Sequence, residues 1–277
     1  MDQKQADEIR QNVRESYTQV AESSNSGDCC GTESSCCGVS DDAAINALVS
    51  TRLGYSENDL SKVPEGADMG LGCGNPGAIA SIQSGETILD LGSGGGFDCF
   101  LAASETGESG QVIGIDMTPT MISKARKNAV KGKYNHVEFR LGEIEHMPVA
   151  NDTVDVIISN CVINLSPDKQ QVFSEAFRVL KPGGRLAISD VVASTELPDE
   201  IRDDLALYSG CMAGASQISE LQAILENNGF EKINIAPKDE SKEFIKDWAP
   251  GRGVEDYVLS ATIEAVKPGG CSSGSCC

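Results

Sequence analysis

The chain has little with which to hold a polyanion. Its 277 residues carry 22 lysines and arginines against 42 aspartates and glutamates, a formal net charge of −20, and no basic cluster stands out. A nucleic-acid backbone or an anionic membrane surface is repelled by such a chain, which excludes both as partners. Apolar runs of membrane-spanning length are missing, and the opening residues MDQKQADEIR carry charge where a signal peptide needs an apolar core. A soluble, cytoplasmic monomer is the expectation. Histidine is scarce: His136 and His146 have no partner at ligand spacing, so they read as surface residues, and no convincing catalytic dyad is present. Trp248, the single tryptophan, is expected to pack a surface helix.

Cysteine is in excess. Of eleven, four form the vicinal pairs Cys29–Cys30 and Cys36–Cys37, and three (Cys271, Cys276, Cys277) fall in the last seven residues. Cys73, Cys99, Cys161 and Cys211 are dispersed. In a reducing compartment these are thiols and not a disulfide framework, and so many thiols suit a soft ligand or redox turnover.

The chain is organised around Glu86 to Gly96, ETILDLGSGGG. Thr87, Ile88, Leu89 and Leu91 suit a strand buried on both faces, and Gly92, Gly94 and Gly96 follow it. Glycines there let a ligand approach the backbone, and a helix starting at Phe97 aims its first N–H groups at that ligand. QVIGID ends in Asp116, where a carboxylate closing a second strand can accept hydrogen bonds from ribose hydroxyls. The pattern points to a nucleoside-bearing cofactor. The leading Asp90 in DLGSGGG resembles motif I of the class I S-adenosylmethionine methyltransferases, which leaves nicotinamide as the minority reading.

Along the chain, Ile9, Val13, Tyr17 and Val20 recur at helical spacing, and Asp42 to Leu53 reads as a second helix. Between them, Glu22 to Ser40 is Ser, Gly and Cys with little to bury, and is expected to be mobile. Thr118 is expected to cap a helix with Pro119 at its first position, and the turn KPGG, Lys181 to Gly184, to separate a helix from the strand RLAISDVV. Strands and helices alternate through Val191, and EKINIAP and DYVLSATIEAV add two more strands. The fold expected is α/β: a Rossmann-like, doubly wound, mostly parallel sheet with an N-terminal helical, Cys-rich extension and a C-terminal α+β region. Residues 1–66 form the extension, 67–195 the cofactor-binding core, 196–267 the substrate-side helices and closing strands, and 268–277 a disordered tail.

Ligands of an open parallel sheet bind beyond the carboxyl ends of its strands. Cys161 directly follows the fourth strand, and Cys73 in GLGCGNP and Cys211 in YSGCMAG can reach the same rim. Three thiolates suit a soft trivalent centre with a lone pair, whereas zinc wants a fourth ligand and tighter pairs. Trivalent arsenic fits, and its lone pair needs positioning more than a general base. Cys99 reads as a packed residue, and GEIEHMP, with Glu143 and Glu145, as a cofactor-lining loop and not a carboxylate pair.

GLGCGNP, LDLGSGGGFDCFLA, VIGIDMTPTMI, FRLGEIEHMPV, DVIISNCVINLSPDK, FRVLKPGGRLAISDVV and YSGCMAGA resemble the arsenite S-adenosylmethionine methyltransferases, from about Gly54 to Lys267. KPGG is common to many methyltransferases; NCVINL and GLGCGNP are far more specific. The resemblance implies that Cys73, Cys161 and Cys211 bind arsenite and methylarsenite. It implies that Asp116 and Met117 hold the ribose side of S-adenosylmethionine, Glu143 and Ile144 the adenine side, and Asp90, Gly92, Gly94 and Gly96 the methionine part. It also implies an N-terminal cysteine in a disulfide relay served by a thiol reductant such as thioredoxin or glutathione. Cys37, of the pair Cys36–Cys37, is the favoured candidate, and the rival for both Cys-rich ends is a solvated thiol tail. Two other functions remain open from the residues alone: methylation of a small organic molecule, and metalloid binding without turnover.

Overall fold

The computed structural model describes residues 3–23 and 42–269. The two vicinal pairs, Cys37 among them, and the three C-terminal cysteines lie outside the described residues, together with the mobility and the relay expected of those segments.

In chain order, α1 (Gln3–Ser23), α2 (Asp42–Arg52), α3 (Glu57–Lys62) and α4 (Gly77–Ala80) precede the first strand, β1 (Thr87–Leu91). The alternation then runs α5 (Phe97–Thr106), β2 (Gln111–Asp116), α6 (Pro119–Gly132), β3 (Val137–Leu141), β4 (Val154–Asn160), α7 (Lys169–Val179) and β5 (Leu180–Ala193). There follow α8 (Asp199–Arg202), α9 (Leu205–Ser209), α10 (Ile218–Asn227), β6 (Glu231–Lys238), α11 (Lys242–Ile245) and β7 (Val258–Val266). The strands make one sheet in the order β3-β2-β1-β4-β5-β7-β6. The first five pair in parallel, and β7 lies antiparallel between β5 and β6. This is the doubly wound, mostly parallel sheet that the alternation of elements predicts.

Successive side chains of a strand point to opposite faces, and here both faces are covered. Ile88 packs with Phe100 of α5 and Ile122 of α6 on one side, while its neighbour Leu89 packs with Phe173 of α7 and Leu225 of α10 on the other. All these residues are buried, which is why the central strands read as apolar runs without alternation. A third apolar cluster stands at the carboxyl end of the sheet. It gathers Ile9 and Val13 of α1, Leu207 of α9, Ile245 of α11 and the three cysteines Cys73, Cys161 and Cys211.

Two local expectations change. KPGG is not a turn ahead of β5 but a bulge within it, because Val154 pairs with Leu180 and Val156 already with Arg185. Gly183, at φ +88°, supplies the left-handed residue that the bulge requires, and its N–H donates to the Lys267 carbonyl at 2.9 Å. Thr118 holds the N-cap position of α6 with Pro119 at the first turn, yet its hydroxyl makes no capping bond. Asp116 Oδ1 instead accepts the N–H of Thr118 itself at 2.8 Å.

Candidate active site

The strand order reverses between β1 and β4, where neighbouring strands send their connections to opposite sides and a crevice opens. The cleft there encloses about 1040 Å³ including its open mouth. Asp90, Gly92, Gly94, Asp116, Met117 and Ile144, six of the residues that the resemblance implies for the cofactor, line it. Gly94, at φ +51°, has nothing within 4 Å of where a Cβ would stand, so the chain approaches the cleft there as bare backbone. A Cβ at Gly92 would fall 2.4 Å from Val162 Cγ2, which packs the turn after β1 onto the turn after β4. Gly96 is off the cleft wall: it begins α5 at φ +93°, and a Cβ there would meet Phe100 and Phe139. Glu143 also stands aside. Its carboxylate pairs with Arg14 at 3.1 Å and Arg10 at 3.7 Å, tying α1 to the loop after β3, while Glu145 lines the cleft and accepts from Arg10 at 3.1 Å and Ser166 at 2.8 Å.

Three carboxylates, Asp90 buried and Asp98 and Asp116 half-buried, give the cleft a preference for positive charge. Asp90 accepts from the Cys99 thiol at 3.2 Å, Asp116 Oδ2 from the Gly94 N–H at 3.0 Å, and Asp98 Oδ1 from the Tyr55 hydroxyl at 2.7 Å. Burial pushes all three up from the ordinary carboxylate value, Asp98 to about 6. These acids therefore favour a ligand that brings a cation, as a sulfonium nucleoside does. Cys99 is packed beneath the turn, as the sequence suggests, its thiol raised by burial and then by Asp90.

Asp190, next to the thiols, is likewise pushed up to about 6 by burial. A carboxyl whose folded pKa exceeds its unfolded value binds its proton more tightly when folded. The stability it adds is complete below the ordinary value of 3.8 and is lost as pH rises through about 6. Asp98 and Asp190 thus predict a thermal midpoint that rises as pH is lowered from about 7 to about 5, by a combined stabilisation on the order of 2 kcal/mol or more. A midpoint that falls across that interval in the ligand-free protein would contradict the burial of these two acids.

Cys73, Cys161 and Cys211 come together. The Cys73 and Cys161 sulfurs and a carboxylate oxygen of Asp190 lie within 4.8 Å of one another, and the Cys211 thiol donates to the Cys161 carbonyl at 2.6 Å. Each cysteine is held by its backbone. Cys73 N–H donates to Asn160 Oδ1 at 3.0 Å, and its carbonyl accepts from the Ser260 hydroxyl of β7 at 2.7 Å. Cys161 N–H donates to the Ser189 carbonyl at 2.8 Å, and Cys211 N–H to the Tyr208 carbonyl at 3.0 Å. Cys161 and Cys211 sit at φ +58° and +64°, a region that costs a non-glycine residue on the order of 1 kcal/mol and that recurs at functional sites. Burial raises the Cys161 thiol well above its ordinary value, with Cys211 and Cys73 adding to it, and burial raises Cys73. Burial thus favours the neutral thiol at Cys73 and at Cys161.

Four residues join the site that sequence reasoning did not assign to it. Asn160 anchors the Cys73 loop, Asp190 accepts from Ile163 N–H at 2.8 Å and Asn164 Nδ2 at 2.9 Å, and Tyr55 binds Asp98. Tyr17 of α1 spans the two halves: its hydroxyl is raised first by burial, then by Cys211, Cys161 and Asp116. Asn160 ends β4 at the carboxyl edge, the position that singles out Asp116 and Cys161, and Asp190 follows Ser189, the last residue of β5 to pair with β4. For Tyr17 and Tyr55, in helical and loop segments far upstream, the sequence offers no comparable signal.

A methyltransferase-domain family model matches residues 82–229. The chain is 54% identical to the arsenite methyltransferase of Halobacterium salinarum over 95% of its own length and 67% of that protein's. To the human arsenite methyltransferase it is 47% identical over 52% of its length, spanning 40% of the relative. Among solved structures it resembles CrArsM, an arsenic(III) S-adenosylmethionine methyltransferase from Chlamydomonas reinhardtii, with a TM-score of 0.58 and 31% identity over 81% of this chain and 73% of that one. On its fold, its motifs and these relatives together, the chain belongs to the arsenite methyltransferase family of S-adenosylmethionine-dependent methyltransferases.

Proposed function

We propose that the chain transfers a methyl group from S-adenosylmethionine to trivalent arsenic bound by the thiolates of Cys73, Cys161 and Cys211. The observation that carries this reading is the meeting of three buried thiols from separate segments in one apolar pocket, with Cys161 on the wall of the acidic cleft. Arsenous acid is largely neutral near pH 7, so the negative surface does not turn it away. As each thiol binds, an As–S bond forms, an As–O bond breaks, and the thiol proton leaves with the departing hydroxide as water. No external base is required, in accord with burial that favours the neutral thiol at Cys73 and Cys161.

In this reading Asp116 accepts from the ribose hydroxyls, Met117 and Ile144 flank the nucleoside, and Asp90 and Asp98 balance positive charge beside the glycine turn. When bound, S-adenosylmethionine supplies a methyl carbon on a sulfonium sulfur, to which the arsenic lone pair adds as the carbon–sulfur bond breaks. The chain contributes alignment and the exclusion of water, for which the packed apolar cluster around the thiols is suited. In this reading residues 67–195 hold the donor, and α1 with residues 196–267 encloses the acceptor. Further methylation of the same arsenic needs two electrons to return it to the trivalent state; a dithiol supplies them by becoming a disulfide, the part assigned to Cys37 with thioredoxin or glutathione as the outside reductant.

Incubation with labelled S-adenosylmethionine, arsenite and a thiol reductant tests this directly. The expected outcome is methylated arsenic. Label in an organic acceptor, or bound arsenic with no methylated product, would reject it.

A further inference from the structure

The amide of Asn160 has more acceptors than hydrogens. Its Oδ1 accepts the Cys73 N–H, which fixes which end is the nitrogen, and Nδ2 then faces the Gly74 carbonyl at 2.8 Å, the Tyr55 hydroxyl at 3.0 Å and Asp98 Oδ2 at 3.4 Å. An NH₂ group donates two hydrogens, so these three acceptors compete. Two of them belong to the frame that carries Cys73. Gly74 is its neighbour, and the loop fits closely over the amide, since a Cβ at Gly72 would fall 2.7 Å from Asn160 Nδ2. The third acceptor, Asp98, lies on the wall of the cleft beside the glycine turn. Tyr55 closes the circuit by donating to Asp98 Oδ1 at 2.7 Å, and its ring stacks edge-on against Phe97 with centroids 4.8 Å apart.

We propose that Asn160 is a positioning residue linking the two half-sites: a cationic group of the bound nucleoside takes Asp98 as its partner, and both Asn160 hydrogens pass to Tyr55 and Gly74, fixing the Cys73 loop for arsenic binding. This rests on the assignment of Cys73 as an arsenic ligand. The donor's amino-acid end carries an ammonium group, and so does S-adenosylhomocysteine. 5′-Methylthioadenosine has the same nucleoside and a thioether but no ammonium, so it fills the cleft without engaging Asp98. Coupling between two sites is reciprocal, so arsenic bound at Cys73 tightens the nucleoside in turn.

The test is arsenite titration of the full, reduced chain, read as protection of Cys73 from alkylation by peptide mass, which ignores the cysteines elsewhere. S-adenosylhomocysteine is expected to tighten protection by about tenfold, within the usual range for coupled sites, and 5′-methylthioadenosine by less than about twofold. Asn160→Ala and Tyr55→Phe should each bring the S-adenosylhomocysteine effect towards one; Tyr55→Phe removes a single hydroxyl and keeps the ring stack. If Asn160 served the fold alone, arsenite affinity would fall equally with and without nucleoside and the ratio would stand. An unchanged ratio in both variants, or equal enhancement by the two nucleosides, overturns the proposal. If arsenite gives Cys73 of the parent chain no protection from alkylation, the assignment of Cys73 as an arsenic ligand fails, and this proposal with it.

Discussion

Cys161→Ser abolishes methylation of arsenite while S-adenosylmethionine still binds. Of the three thiols, Cys161 alone lines the donor cleft, so it belongs to both halves of the site. Its sulfur is also central to the cluster, within 4.8 Å of Cys73 and with its own carbonyl receiving the Cys211 thiol. Serine offers a hard oxygen with a much higher pKa, which a soft trivalent centre binds poorly. A tripod reduced to two sulfurs leaves arsenic able to rotate away from the donor. Loss of about 4 kcal/mol in transition-state binding corresponds to a thousandfold in rate. The backbone should tolerate the change, since serine is near in size and the Cys161 N–H keeps its bond to Ser189. Methylated arsenic measured per unit time decides the matter, with nucleoside affinity by calorimetry as the control. Activity within a few-fold of the parent would remove Cys161 from the chemistry.

How much of this was legible beforehand follows from where each signal resides. β1, its glycine turn and Asp116 form one local unit in which strand, turn, helix and acid follow in sequence. The apolar run of β1 reports burial on both faces, and the turn residues report the needs of the backbone. Cys161 and Asp116 can be placed on one edge because both end parallel strands. Cys73 and Cys211 are different, since neither ends a strand; their approach depends on Ser260 reaching across from β7 and on Asn160 holding the loop, contacts between residues as much as 187 apart in the chain. A cysteine count hints at such a cluster, but hydrophobic periodicity does not encode it. At α6 the N-cap position of Thr118 and the proline after it are legible, but not the missing bond from its hydroxyl; Asp116 instead accepts the Thr118 N–H, the residue two further on. KPGG suits a turn and a bulge equally, because both use the same residues, and only pairing across to β4 separates them.

Asp116→Ala should weaken nucleoside binding by on the order of a hundredfold while shifting stability little. In the folded chain one Asp116 oxygen holds the Gly94 N–H at 3.0 Å and the other the Thr118 N–H at 2.8 Å, so a single side chain sets both the glycine turn and the entry to α6. Alanine removes that clamp along with the acceptor for ribose hydroxyls. A hydrogen bond to a charged group contributes about 1.5–3 kcal/mol, and loss of one or two accounts for the hundredfold. Stability behaves differently because burial raises the pKa of this acid, so the carboxylate costs folding energy near neutral pH. Deleting it relieves that cost and offsets the two N–H bonds lost. Asp116→Asn, which keeps an oxygen acceptor without the charge, should fall between parent and alanine. Calorimetric titration with S-adenosylhomocysteine, beside a thermal melt of each variant, separates the two effects. Affinity equal to that of the parent would dismiss the ribose role, and a collapse of the melting midpoint in step with affinity would make Asp116 a residue of the fold and not of the ligand.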